Sequence, residues 1–162
     1  MSNKTKQLTE NAMLIALTAL VTLAVRIPTP TGGHVNLGDS VIFLSAIIFG
    51  SLRGAVIGGV GSAIADLIGG HYFFVPGTLI IKAAEGYITG FMSHLLKEKN
   101  PILGRTISVL TGGLVMVIGY FIYEVIFLNL AVALSVIIPN TIQALACAVL
   151  AVSLYPLVRK TR

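Results

Sequence analysis

The sequence has no tryptophan, one cysteine and few charges. Charged residues make up only 10% of its 162 positions, against roughly a quarter in soluble domains. That scarcity excludes an ordinary soluble domain. The lone Cys147 excludes an intrachain disulfide and reads as a small buried hydrophobe. Without tryptophan, any aromatic belt must use Tyr and Phe, and no ligand ring can stack on an indole. Motifs of catalysis are missing too. There is no GxxxxGK[ST] phosphate loop, no HExxH or paired-cysteine metal pattern, and no GxSxG nucleophile. No filter-like element suggests a channel. No cofactor and no metal are expected.

What is present is apolar. Hydrophobic residues make up 56% of the chain, and mean hydropathy is +0.94. The pattern predicts an all-α integral membrane protein, a single domain over residues 1–162 with six transmembrane helices. They are expected near 8–25, 37–52, 53–69, 78–97, 105–130 and 139–158. The first is read as a retained span, because its apolar run is too long for a signal-peptide core. The second is short: about 16 residues at ~1.5 Å each reach only about 24 Å.

Charge sets the direction. With the N-terminus inside, Lys4, Lys6, Arg53, Lys97, Lys99, Arg105, Arg159, Lys160 and Arg162 all lie on the cytoplasmic side, nine of the eleven basic residues. Only Arg26 lies outside, and Lys82 lies within a helix. This bias predicts both termini inside, in a prokaryotic plasma membrane. It also accounts for the net charge of +5 without a nucleic-acid partner. In the third helix Gly54, Gly58 and Ser62 form one small-residue stripe, and Gly61, Ala65 and Gly69 another. Both are expected to pack helices within the subunit.

The intramembrane polar residues share one depth. Asp66, Lys82, Glu85, Tyr120, Tyr123, Glu124, Asn140 and Gln143 all fall in the outer halves of their helices. A charge in the bilayer costs roughly 2.5–3.5 kcal/mol on insertion scales, unless paired or hydrated. Their clustering predicts a polar cavity open to the outside. Lys82 can pair with Glu85, three residues on, or with Asp66. Several residues carry plainer readings. Glu124 can be hydrated at the surface, Asn140 can help start the last helix after Pro139, and Asp39 can cap the second helix. His71 with Tyr72, Phe73 and Phe74 reads as an interfacial anchor.

Three segments, GGHVNLGD (residues 32–39), GSAIAD (61–66) and PGTLIIK (76–82), resemble the substrate-binding S components of energy-coupling factor (ECF) vitamin transporters. The resemblance is to the subgroup for hydroxymethylpyrimidine, vitamin B6 and pantothenate. It implies a high-affinity binding subunit for a small vitamin, working with a membrane T component and two cytoplasmic ATPases in the lipid bilayer. It implies that the external loop between the first two helices is a lid, and that Asn36, Asp39, Lys82, Glu85, Tyr123, Asn140 and Gln143 bind the ligand. It implies that Ala12 and Ala16, extended by Ala19, contact the T component. Pyridoxine or hydroxymethylpyrimidine suits the mixed polar and aromatic set. Pantothenate is the alternative if Lys82 or Arg26 receives its carboxylate. An intramembrane enzyme using Glu85 and Asp66 as acid and base is the alternative of another class.

Overall fold

The computed structural model describes residues 3–96 and 100–160. Lys97, Lys99 and Arg162, three of the basic residues behind the predicted direction, lie outside these, as does the side chain of Lys160. The chain order is α1 (Asn3–Ala24), β1 (Arg26–Pro28), β2 (His34–Asn36), α2 (Gly38–Phe49), α3 (Ser51–Gly69), α4 (Val75–Leu96), α5 (Pro101–Phe127), α6 (Leu130–Ser135) and α7 (Ile137–Lys160). It is an all-α membrane fold, with one small hairpin where a loop was expected.

Four stretches are long and apolar enough to cross a bilayer: Lys4–Ala24, Ser51–Gly69, Pro101–Phe127 and Leu130–Arg159. Helix α4 matches them in length but carries Lys82 and Glu85. Helix α2 has 12 residues, about 18 Å of rise, less than the roughly 30 Å hydrocarbon thickness. The β-hairpin sits at its N-terminal end. Large apolar side chains such as Ile68, Ile80, Ile126 and Ile138 face outward, as lipid contact requires.

Element ends follow local chemistry. Gly50, at φ +90°, separates α2 from α3, so the second helix stops three residues before the expected end. No side chain caps α2, whose N-cap is Leu37; Asp39 is buried instead and does not act as that cap. Helix α5 starts at Pro101, four residues early. Asn100 accepts hydrogen bonds from the N–H groups of Ile102 and Leu103 at 3.1 Å each, and proline at the first position loses no helical bond. The last helix also starts early. Asn129 caps α6 by accepting from the Val132 N–H, and α7 begins at Ile137, so Pro139 sits in its first turn.

The small stripes pack inside the subunit. A Cβ on Gly54 would lie 2.8 Å from the Gly86 carbonyl, and one on Gly58 2.7 Å from the Lys82 carbonyl. One on Gly61 would lie 2.7 Å from Thr18 Cβ. Thus α3 meets α4 along one stripe and α1 along the other. These close approaches fix α4, and with it Lys82, at a set height. Beneath the polar residues, Phe43, Val109, Cys147, Ala148 and Ala151 form a dry core between α2, α5 and α7.

Candidate functional site

The site is assembled by periodicity. In β2, His34 and Asn36 are two apart and share a strand face. In α4, Thr78 and Lys82 are four apart, as are Ser62 and Asp66 in α3 and Tyr120 and Glu124 in α5. These pairs, with Thr22, Phe74, Asn140 and Gln143, surround one cavity of about 40 Å³ between the hairpin and the helices.

Under the cavity lies a densely bonded network in which Glu85 Oε1 is the carboxylate oxygen left without a partner. Lys82 Nζ donates to Asp39 Oδ1 in a short contact and to Glu85 Oε2 at 2.9 Å. Gln143 Nε2 donates to Asp39 Oδ2 at 2.6 Å, and Gln143 Oε1 accepts from the Asn36 backbone N–H at 2.8 Å. Asn36 Oδ1 accepts from the Gly38 N–H at 2.9 Å. Asp39 and Glu85 are fully buried, and Lys82 is 2% exposed. The Lys82 charge is therefore shared by two carboxylates, not by Asp66. A buried ion group of this kind persists only when its members satisfy one another.

The rim differs. Both ring nitrogens of His34, Glu124 Oε2 and Thr22 Oγ1 are buried without a hydrogen-bond partner. Leaving such groups unpaired costs free energy. His34 Nε2 lies 4.0 Å from Asp66 Oδ1, and its ring packs on His71 with centroids 4.7 Å apart. Burial first, then His71, Arg26 and Lys82 nearby, lowers the His34 pKa to about 4. His34 is thus a neutral imidazole at physiological pH, able to donate from one nitrogen and accept at the other.

The hairpin is tied down on both sides. His71 Nδ1 and the Gly32 carbonyl are 3.0 Å apart, Arg26 reaches the Ala65 carbonyl at 3.5 Å, and Asn36 is held by Gln143. The segment at 71–74 splits its roles. Tyr72 and Phe73 are exposed, whereas Phe74 is buried against the cavity. Tyr120 also lines the cavity, its hydroxyl 3.0 Å from Thr78 Oγ1.

Of the expected binding residues, Asn36, Lys82, Asn140 and Gln143 line the cavity; Asp39, Glu85 and Tyr123 do not. Asp39 and Glu85 are consumed by Lys82. Tyr123 turns away: its hydroxyl donates to the Phe73 carbonyl at 2.6 Å, and its ring packs on Phe127 at 4.7 Å. Asn140 is buried on the cavity wall and does not begin a helix. His34 and Glu124 also line the cavity; neither belongs to the expected binding set, although Glu124 belongs to the expected polar cluster. Their signals were present: His34 is two residues before Asn36 on the same strand face, and Glu124 is one turn beyond Tyr120. On α1, Ala12 and Ala16 are exposed, whereas Ala19 is 6% exposed at the floor of a groove against α3. Among the described residues, no three His, Cys, Asp or Glu side chains converge to hold a metal.

A family model described as "ECF-type riboflavin transporter, S component" matches residues 2–160. The chain belongs to this S-component family. A Lactococcus lactis relative named "Thiamine precursor transporter HmpT" is 30% identical over 99% of the chain and 93% of its own length. An uncharacterized Pyrococcus woesei protein is 45% identical over 62% of the chain, a match that spans 66% of that relative's length. An S component is a membrane transport subunit, not an enzyme. Glu85 is bonded to Lys82 and does not line the cavity that Asp66 faces, so the alternative acid–base pair is not brought together.

Proposed function

We propose that this S component binds a small, uncharged or weakly basic hydroxymethylated heteroaromatic vitamin precursor, of the hydroxymethylpyrimidine type, for uptake. The observation that carries the reading is the sharing of Lys82 between Asp39 and Glu85. A ligand carboxylate, as in pantothenate, would meet a cation already neutralised, with Asp66 and Glu124 facing the same space. A ring with amino and hydroxyl donors meets acceptors instead. Glu124 and Asn140 accept or donate at the ring edge, His34 takes a hydroxyl, and Phe74 and Tyr120 provide flat apolar contact. The relative named as a thiamine precursor transporter supports the same class. Pyridoxine is the nearest chemical competitor.

The cavity of about 40 Å³ has room for little more than a water molecule. Ligand entry therefore requires the β1–β2 hairpin to lift, breaking the His71–Gly32 and Asn36–Gln143 contacts, and then to close over the ring. In this reading Asn36 and Asn140 contact the ligand, Lys82 and Gln143 form the cavity floor, and Asp39 and Glu85 act through Lys82. Six membrane crossings place both termini in the cytoplasm, where two ATPases energise transport through a T component. Ala12 and Ala16, beside an apolar groove of about 510 Å³ between α1 and α3, receive that component.

Thermal unfolding of the purified chain with a panel of vitamins and precursors tests the reading. The bound ligand should stabilise it by about RT ln(1 + [L]/Kd). Hydroxymethylpyrimidine is expected to give the largest shift and pantothenate none. A larger shift with pantothenate or riboflavin would overturn the ligand class. Ala12→Leu with Ala16→Leu should leave binding intact and abolish uptake in cells. Lost binding would assign that face to packing within the chain.

A further inference from the structure

A second cleft opens at the other end of the bundle, where α1 begins and α7 ends. It holds about 520 Å³. Its polar wall comes from three helix ends: His94 on α4, Arg105 on α5, and Tyr155 and Arg159 on α7. Among the described residues no carboxylate lines it. Arg105 is preset: its Nε donates to the Pro101 carbonyl at 2.5 Å, and its guanidinium lies 4.2 Å from the Tyr155 ring centroid. Among the described residues its terminal nitrogens make no hydrogen bond. This contrasts with Arg53 at the same end, which is committed to Glu10 at 2.8 Å and to Asn11 at 2.6 Å.

An apolar groove lies farther along two of the same helices. A groove of about 260 Å³ runs between α5 and α7, lined by Thr106, Leu110, Leu145, Val149 and Val152 among others. It starts one residue past Arg105 on α5 and at Ser153, two residues before Tyr155 on α7. From Ser153 back to Leu145 the groove follows α7 for about 12 Å at ~1.5 Å per residue. A basic cleft with an apolar groove along the same pair of helices, α5 and α7, matches one kind of molecule. Free phosphate would use only the cleft, and a neutral lipid only the groove.

We propose that this surface is a binding site for an anionic phospholipid. Arg105 and Arg159 hold its phosphate, His94 and Tyr155 border the headgroup, and one acyl chain lies along the α5–α7 groove. Paired arginines suit a phosphate, and basic pockets between spans are a recurring mode of headgroup recognition. The site lies at the opposite end from the vitamin cavity and shares no residue with it.

The test uses the full chain in a nonionic detergent. Unfolding temperature is measured while adding phosphatidylglycerol, phosphatidylcholine of the same chains, or glycerol phosphate alone. Phosphatidylglycerol should raise it in a saturable way, and the other two should not. Arg105→Gln with Arg159→Gln should weaken the apparent affinity about tenfold or more, since each charge-assisted bond is worth about that factor. Lys4→Gln with Lys6→Gln removes the same charge elsewhere at this end and should change nothing. Val149→Trp fills the groove from an exposed position and should also weaken binding, which keeps the test decisive if the arginine variant does not fold. Equal shifts with both lipids would overturn the proposal. So would an equal loss in the lysine variant, or a full effect from glycerol phosphate.

Discussion

Two polar regions lie within one cavity's reach and behave in opposite ways. In the floor, Lys82, Asp39, Glu85 and Gln143 bond one another and leave Glu85 Oε1 unpartnered. On the rim, His34, Glu124 and Thr22 are buried with polar atoms unpartnered. The floor contains most of the charge and the rim most of the unused hydrogen-bonding capacity. Charge at membrane depth therefore does not by itself mark the ligand contacts. The floor holds α2, α4 and α7 together beneath the hairpin, and the rim is where a ligand's donors and acceptors are needed.

The sharpest way to break this contrast is Lys82→Met. Removing one member strands two buried carboxylates, and breaking a buried pair costs about 3–5 kcal/mol. Much of that is expected as lost thermal stability of the ligand-free chain, measured by unfolding in detergent. A variant that unfolds normally but no longer binds would move Lys82 from the floor to the rim.

Acid should act mainly through the rim. The folded pKa of His34 is lowered to about 4, against about 6.5 in an unfolded chain. The unfolded state then binds the extra proton between these values, so stability falls as pH drops through that window. The His34 contribution is full above about pH 6.5 and lost toward pH 4. Unfolding midpoints of the wild type and His34→Phe across that range should diverge in slope. Parallel curves would contradict the assignment.

The smallest effect belongs to Glu85→Gln. Lys82 keeps Asp39, and an amide replaces a carboxylate of like shape, so stability should change by no more than about 1.5 kcal/mol. Ligand affinity should stay within a few-fold, because Glu85 does not line the cavity. A large loss of affinity in titration calorimetry would return Glu85 to the ligand.

Much of this layout is legible in the sequence. The apolar helices, the shared level of Lys82, Asn140 and Gln143 around one cavity, and the Gly54–Gly58 stripe follow from spacing and from the cost of intramembrane charge. The early start of α5 was also legible, since Asn100-Pro101 is an N-cap followed by proline. What spacing cannot supply is the pairing itself. Lys82 could have met Asp66 or Glu85 on sequence grounds; it meets Glu85 and Asp39, because Gly58 brings α3 close to α4 and α2 stacks beside both. Which polar atoms remain unpartnered depends on that choice, so the free hydrogen-bonding capacity of His34 and Glu124 emerges only from the packed structure. The hairpin was hidden too, because three-residue strands carry too little alternation to read.

Glu124→Gln tests the central claim most directly, with two readouts on one purified variant. The account predicts that the ligand-free unfolding midpoint stays close to wild type, while the Kd for hydroxymethylpyrimidine rises at least about tenfold, the loss expected for one charge-assisted hydrogen bond. An unchanged Kd, or a collapse of stability with binding retained in the folded fraction, would contradict it.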